Sequence, residues 1–119
     1  MLQDFEAQAP DRAIPATYDR LCAALRSATQ ARTAGDPLQV KQELDAALSH
    51  VFSLLGTLNY KDGGELAPRL GALYGYFASE ILVLMHAPDV DGLERVIEMV
   101  NILNGQWRSS SGDTVPTTH

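Results

Sequence analysis

The sequence predicts an all-α protein that folds as an antiparallel four-helix bundle. Glycine and proline divide the 119 residues into four segments with short breaks between them. Within each segment, apolar residues recur at steps of three and four, which is the period of one helix face. No segment alternates apolar and polar residues for long enough to predict a strand.

The first segment, residues 10–33, is predicted to be a helix with one apolar face. Because proline breaks an established helix, we expect this helix to start near Pro15. Its end is marked by Gly35, Asp36 and Pro37, which predict a C′ glycine, then the N-cap and the first residue of the next helix. The apolar face consists of Ile14, Tyr18, Leu21, Leu25 and Ala28.

The second and third segments, residues 37–58 and 65–86, are separated by a turn with two adjacent glycines, which hold regular structure poorly. The third segment is apolar on almost all sides towards its end, which predicts burial on more than one side. The predicted apolar face of the second segment is Leu44, Leu48, Val51, Leu55 and Leu58, widened by Ala47 and Leu54. That of the third segment is Leu66, Leu70, Leu73, Phe77, Ile81 and Leu84.

The fourth segment, residues 89–107, is predicted to be a helix that closes the bundle. The short polar sequence after it predicts a disordered tail. The chain is therefore divided into an N-terminal arm (1–8), the bundle (9–107) and the tail (108–119). The apolar face of the fourth segment consists of Leu93, Val96, Ile97, Val100, Leu103 and Trp107.

The composition argues against several classes of partner. The formal net charge of −6 repels phosphate backbones and anionic lipids, so we expect neither nucleic acid nor a membrane as partner. The first residues lack the basic and apolar regions of a signal peptide, and no apolar run approaches the roughly 20 residues of a membrane helix. We therefore expect a cytoplasmic protein. Its single cysteine, Cys22, is expected to be a buried and inert thiol.

Few residues are suited to catalysis. His119 lies in the predicted tail, and His86 lies at a helix C-terminus, where the helix dipole favours a cation. His50 lies within the second helix, so a histidine phosphotransfer bundle is an alternative, although the lysine and glycine that follow such a histidine are absent here. No histidine pair and no Glu-x-x-His has metal-ligand spacing. We predict no enzyme, no cofactor and no metal site.

The sequence has more apolar side chains than one core face requires. A bundle buries one stripe of each helix, roughly 100° wide or more. The additional residues either deepen the core or form a groove for a partner helix, and the pattern leaves both possibilities open. These residues are Phe52, Leu54, Tyr60, Tyr76, Leu82 and Val83.

The stretch 58–77, LNYKDGGELAPRLGALYGYF, resembles the central signature of the flagellar secretion chaperone FliS family. In that signature a short turn ends in Gly-Gly-Glu, and the helix after it carries Leu-Tyr-x-Tyr. Here these motifs are Gly63-Gly64-Glu65 and Leu73-Tyr74-Gly75-Tyr76. The resemblance extends over about residues 9–107, and Trp107 lies where the family has a closing tryptophan.

This resemblance implies a cytosolic chaperone that binds the C-terminal segment of flagellin, prevents its premature polymerisation and delivers it to the flagellar type III export apparatus. The cargo would wrap round the bundle and fold into helices on its apolar grooves, without nucleotide or metal. On this hypothesis, we predict contacts with the cargo at surface-facing side chains of the second and third helices and the turn between them. The predicted residues are Phe52, Leu55, Tyr60, Tyr74, Tyr76 and Val83. For Leu55 and Tyr74 the pattern leaves a position in the core as the alternative.

Several features of the partner are left open. The cargo is either flagellin or another exported subunit, and components of the export apparatus are further partners implied by the resemblance. A chaperone of this kind is expected to be a monomer or a weak homodimer. A third hypothesis, besides the chaperone and the His50 phosphotransfer bundle, is a regulatory bundle that self-associates through the same apolar side chains.

Overall fold

The structure is a computed structural model that describes residues 13–61 and 64–111. Within these ranges the chain forms four helices and no strand, which confirms the predicted all-α four-helix bundle. The predicted arm, residues 1–8, lies outside the described residues, as do residues 112–119 of the predicted tail. The helices are α1 (Ala13–Thr33), α2 (Pro37–Gly56), α3 (Leu66–His86) and α4 (Val90–Ser111).

Short turns join consecutive helices, so helices that are neighbours in sequence run antiparallel. α1 packs against α2 and α4, α2 also packs against α3, and the contact between α3 and α4 is the smallest. α1 and α3 therefore lie diagonally opposite each other. One hydrogen bond crosses this diagonal, between the hydroxyl groups of Tyr18 and Tyr74, whose oxygens are 2.5 Å apart.

The turn between α1 and α2 has the predicted caps. Gly35 adopts a φ of 75°, which side chains with a Cβ rarely tolerate. The N–H groups of Gly35 and Asp36 donate to the carbonyl groups of Arg32 and Ala31, which is the Schellman arrangement at a helix end. The Asp36 carboxylate accepts a hydrogen bond from the Gln39 N–H at 3.2 Å and caps α2, which begins with the following proline.

The buried face of α2 agrees with the predicted one only in part. Leu48, Leu55 and Leu58 are only partly buried against the core. The predicted and the observed faces both follow the helical period, so periodicity does not choose between them. The apolar side of α2 is wider than its interface, and the positions of α1 and α3 beside it decide which part is buried. The buried residues are Val40, Leu44, Ala47, Val51 and Leu54.

The predicted face of α1 is buried throughout, and those of α3 and α4 line the same core. α3 adds Tyr74 to this core, and α4 adds the polar Asn104, whose Nδ2 donates to Asp19 Oδ1 at 2.8 Å. α4 continues to Ser111, about one turn beyond the predicted end at Trp107. None of the described helices is both long and apolar enough to cross a membrane. Half-buried at the edge of the core are Leu73, Ile97 and Leu103.

Candidate partner-binding surface

Large apolar side chains remain exposed on α2, on α3 and on the turn that joins them. The exposed fraction is 55% for Phe52, 63% for Tyr60, 44% for Tyr76 and 58% for Val83. Single exposed apolar residues are common on any protein, but several on two adjacent helices indicate an interaction surface. We define the apolar surface as Phe52, Leu55, Tyr60, Tyr76, Leu82 and Val83.

The contribution of α2 to this surface is one flank of the helix. Leu48, Phe52 and Leu55 follow one another at steps of four and three, which places them on one helix face. Leu48 and Leu55 are partly buried and pack against the core. Phe52 is therefore the outermost apolar side chain of this flank, with the half-buried Leu55 at its base.

The contribution of α3 is its outward side. Tyr76 and Val83 are seven residues apart and share a face, while Phe77 and Ile81 point into the core. The Tyr76 ring lies beside the Phe77 ring, with centroids 6.3 Å apart and an angle of 56° between the planes. Leu82 is also exposed, at 47%, although it was not among the predicted contact residues. The exposed apolar side chains of α3 therefore cover two parts of its outward side, with Tyr76 and Val83 on one face and Leu82 about 100° round the helix from Val83.

The turn that carries Tyr60 begins where α2 is stopped by Thr57. The N–H and the hydroxyl of Thr57 both donate to the carbonyl of Leu54, at 3.0 and 2.7 Å. Leu58 then packs against the core and fixes the start of the turn. The chain reaches α3 at Leu66, so Tyr60 lies between the two helices of the apolar surface.

Tyr74 lies in the core and not on the apolar surface, which is the alternative that the sequence left open for it. It is 1% exposed, and its ring packs edge-on against Tyr18 with centroids 6.2 Å apart. Tyr18 also packs edge-on against Trp107, again at 6.2 Å. Residues two apart on a helix point to nearly opposite sides, so Tyr74 and Tyr76 cannot share one face. Tyr74 therefore has a structural position in the core.

Burial in this aromatic cluster changes the acidity of both hydroxyl groups. Loss of hydration raises the pKa of Tyr74 to about 12, although hydrogen bonding to Tyr18 and Trp107 offsets part of the effect. Loss of hydration also raises the pKa of Tyr18 well above its ordinary value, and the neighbouring Tyr74 adds to this increase. Both side chains are consequently neutral at any physiological pH and act as hydrogen-bonding core residues.

The opposite end of the bundle contains a cavity of about 320 Å³ between the α1–α2 and α3–α4 turns. Arg32 bridges these turns, since its Nε donates to the carbonyl of Pro88 at 3.3 Å. Leu38 and Ile102, on α2 and α4, are exposed apolar residues that were not among the predicted contact residues. Their only signal in the sequence is that they lie outside the apolar faces of their helices. The cavity is lined by Arg32, Gly35, Asp36, Pro37, Val40 and Pro88.

His50 and Cys22, the described residues whose side chains could take part in phosphotransfer or thiol chemistry, are not among the residues of the apolar surface. His50 is partly buried. Burial lowers the pKa of its imidazole, and the positive charge of Arg20 lowers it further. Cys22 donates a hydrogen bond from Sγ to Asn101 Oδ1 at 3.1 Å, and burial raises the pKa of its thiol. Among residues 13–61 and 64–111, no three His, Cys, Asp or Glu side chains are grouped as metal ligands.

Two comparisons with known proteins give matches. A model of the family described as flagellar protein FliS matches residues 3–113, a range that contains all four helices. The chain is also similar to the flagellar secretion chaperone FliS of Vibrio cholerae serotype O1, with 32% identity over 66 residues. This second match covers 56% of the chain and 48% of that protein, so the chain spans about half the length of the curated relative.

Proposed function

The chain belongs to the FliS family of flagellar proteins, and on this basis we propose that it is a cytoplasmic export chaperone for flagellin. It binds the C-terminal segment of flagellin, prevents premature polymerisation and delivers the subunit to the flagellar type III export apparatus. The similar protein of Vibrio cholerae is named a secretion chaperone, which supports the export role. The chain is accordingly a binding protein and not an enzyme.

The observation that carries this proposal is the apolar surface on α2 and α3. Phe52, Tyr60, Tyr76 and Val83 are each more than two-fifths exposed in an otherwise well-packed bundle. Exposed apolar groups of this size favour association, because covering them removes apolar area from water. The net charge of −6 keeps such a protein soluble while the surface is uncovered.

The proposed mechanism is binding coupled to folding of the cargo. An amphipathic segment that is unfolded alone places its apolar face on α2 and α3 and becomes helical there. The apolar side chains through which flagellin subunits would assemble are then covered, so occupancy alone blocks polymerisation. No bond is made or broken, and no cofactor takes part.

The residues proposed to contact the cargo are the six of the apolar surface. Among the side chains predicted from the sequence, Tyr74 is replaced by Leu82, because Tyr74 is buried and Leu82 is exposed. Aromatic side chains are the usual anchors of protein interfaces, so Phe52, Tyr60 and Tyr76 are expected to contribute most to the affinity. We further propose that the free protein is a monomer or a weak homodimer.

The test of the function is co-purification of this protein with the C-terminal segment of its host's flagellin, followed by calorimetry. We expect a complex of equal stoichiometry and a negative heat-capacity change, since apolar area is buried on binding. Absence of binding by a folded bundle would reject flagellin as the cargo. A stable homo-oligomer in light scattering without cargo would favour the self-associating regulatory bundle instead.

A charge substitution tests whether the apolar surface is the binding site. Phe52→Asp should raise the Kd for the flagellin segment roughly tenfold or more, because a carboxylate would be buried at the interface. Ile102→Asp is the matched control, since Ile102 is exposed to a similar extent, 62% against 55% for Phe52, but lies on α4. Both variants should retain the helical circular dichroism of the wild type. Equal loss of binding in the two variants would contradict the assignment of the surface.

A further inference from the structure

Tyr60 is the most exposed aromatic side chain of the apolar surface, yet its hydroxyl end lies against α3. At position 71 on α3, a Cβ would come within 2.8 Å of Tyr60 Oη and 3.9 Å of Tyr60 Cζ. The same Cβ would lie 3.4 Å from Leu58 Cδ1. The Tyr60 hydroxyl therefore lies over the helix backbone at Gly71, in space that the Cβ of any other residue would fill, and Leu58 lies beside it at van der Waals distance.

The backbone of α3 does not itself require glycine at this position. Among the described glycines, only Gly35 and Gly64 have positive φ, so Gly71 has a conformation open to every residue. Glycine is also less favourable than alanine within a helix. Gly75, one turn further along α3, differs from Gly71 because a Cβ there would meet nothing within 4 Å. The lack of a Cβ at position 71 is thus explained by the close approach of the turn that carries Leu58 and Tyr60.

We propose that Gly71 is a positioning residue, which holds the Tyr60 ring as a preorganised anchor for the partner segment. This inference rests on the proposed chaperone function. A ring that is already held in place loses less side-chain and loop freedom on binding than a mobile one.

The experiment compares Gly71→Ala with Gly75→Ala, which is the same substitution one turn away. A methyl group at position 71 displaces the Tyr60 hydroxyl from its contact with α3, and the bundle should stay folded because the atom that must move is the end of an exposed side chain. Hydrogen exchange of the backbone amides at Leu58–Tyr60 should therefore become faster in Gly71→Ala and stay at the wild-type rate in Gly75→Ala. The helical circular dichroism should be retained in both variants.

Binding is then measured by calorimetry with the C-terminal flagellin segment in a double-mutant cycle. Gly71→Ala should raise the Kd about twofold to tenfold, which corresponds to reordering one aromatic side chain and its turn. Tyr60→Ala should raise the Kd roughly tenfold or more. In the Tyr60→Ala background, Gly71→Ala should have no further effect, because the ring that it positions is absent.

Three results would overturn the inference while leaving the chaperone function in place. The first is a lower Kd for Gly71→Ala, which would make the Tyr60 turn a cover over the site. The second is an equal effect of Gly71→Ala with and without Tyr60, and the third is an unchanged Kd. If wild-type protein does not bind the segment at all, the proposed function itself fails, and this inference fails with it.

Discussion

Tyr74 and Tyr76 are separated by one glycine on α3, yet they lie in opposite environments. Tyr74 is 1% exposed and is hydrogen-bonded to Tyr18 across the bundle, whereas Tyr76 is 44% exposed on the outward side of the helix. The same residue type therefore serves the fold at one position and the surface at the other. α3 carries both roles at once because its two faces are almost independent.

The difference extends to the aromatic residues around each tyrosine. Tyr18, Tyr74 and Trp107 pack edge-to-face and connect three helices at the centre of the bundle. Phe52 and Tyr60 lie with Tyr76 on the outer surface and leave apolar area uncovered. Substitutions in the buried cluster should therefore act on stability, and substitutions on the apolar surface should act on binding.

The largest expected effect is on the free energy of unfolding. Tyr74→Ala should lower it by about 3–5 kcal/mol, because the substitution leaves a cavity and removes a buried hydrogen bond. Tyr76→Ala should lower it by only about 1 kcal/mol, since nearly half of the side chain is in water and the contact with Phe77 is the main loss. Urea denaturation followed by circular dichroism measures both values. Similar losses for the two variants would show that the faces of α3 are not independent.

Binding should show the reverse order. Tyr76→Ala should raise the Kd for the flagellin segment roughly tenfold, because an aromatic anchor is lost from the interface. Tyr74→Phe is the matched comparison on the buried side, since it keeps the ring and the fold and should leave the Kd at the wild-type value. Calorimetry at one temperature measures both. A weaker complex for Tyr74→Phe alone would place the binding determinant in the core.

A smaller effect is expected in alkaline solution. The pKa of Tyr74 is about 12 in the folded protein, against about 10 when unfolded, so its contribution to stability is complete below pH 10. Between pH 10 and 12 the unfolded state loses this proton first, and stability falls, by on the order of 1 kcal/mol at pH 11. Tyr74→Phe should remove this part of the decrease.

Urea denaturation of the wild type and of Tyr74→Phe at pH 9, 10 and 11 measures how steeply the free energy of unfolding falls with pH. Tyr76→Phe is the control, because it removes an exposed hydroxyl from the same helix. We expect only Tyr74→Phe to reduce the loss of stability between pH 9 and 11. An equal reduction in Tyr76→Phe would contradict the assignment of this loss to the buried Tyr74 hydroxyl.

Features set by local chemistry were predictable from the sequence. The end of α1 and the start of α2 follow from Gly35, Asp36 and Pro37, whose roles depend only on their own backbone and nearest neighbours. The helix count and the face of α1 follow from periodicity for the same reason. The different environments of Tyr74 and Tyr76 could also be predicted, because Tyr74 lies three residues before Phe77 and therefore on the buried face of α3.

Features set by contacts between helices were not predictable in this way. Leu48 and Leu55 fit the helical period as well as Ala47 and Leu54 do, and only the neighbours of α2 decide which pair is buried. The approach of Tyr60 to Gly71 joins a turn to a helix eleven positions later, and no local pattern encodes it. The apolar surface was therefore predicted as a set of candidate residues, while its shape required the structure.

Trp107 is the single tryptophan of the chain and is 1% exposed within the buried aromatic cluster. Its fluorescence consequently comes from one place in the molecule, at the contact of α4 with Tyr18. Unfolding should shift this emission to longer wavelength, whereas occupation of the outer faces of α2 and α3 should leave it almost unchanged. The protein thus contains an intrinsic optical probe that reports the integrity of the bundle during a binding titration.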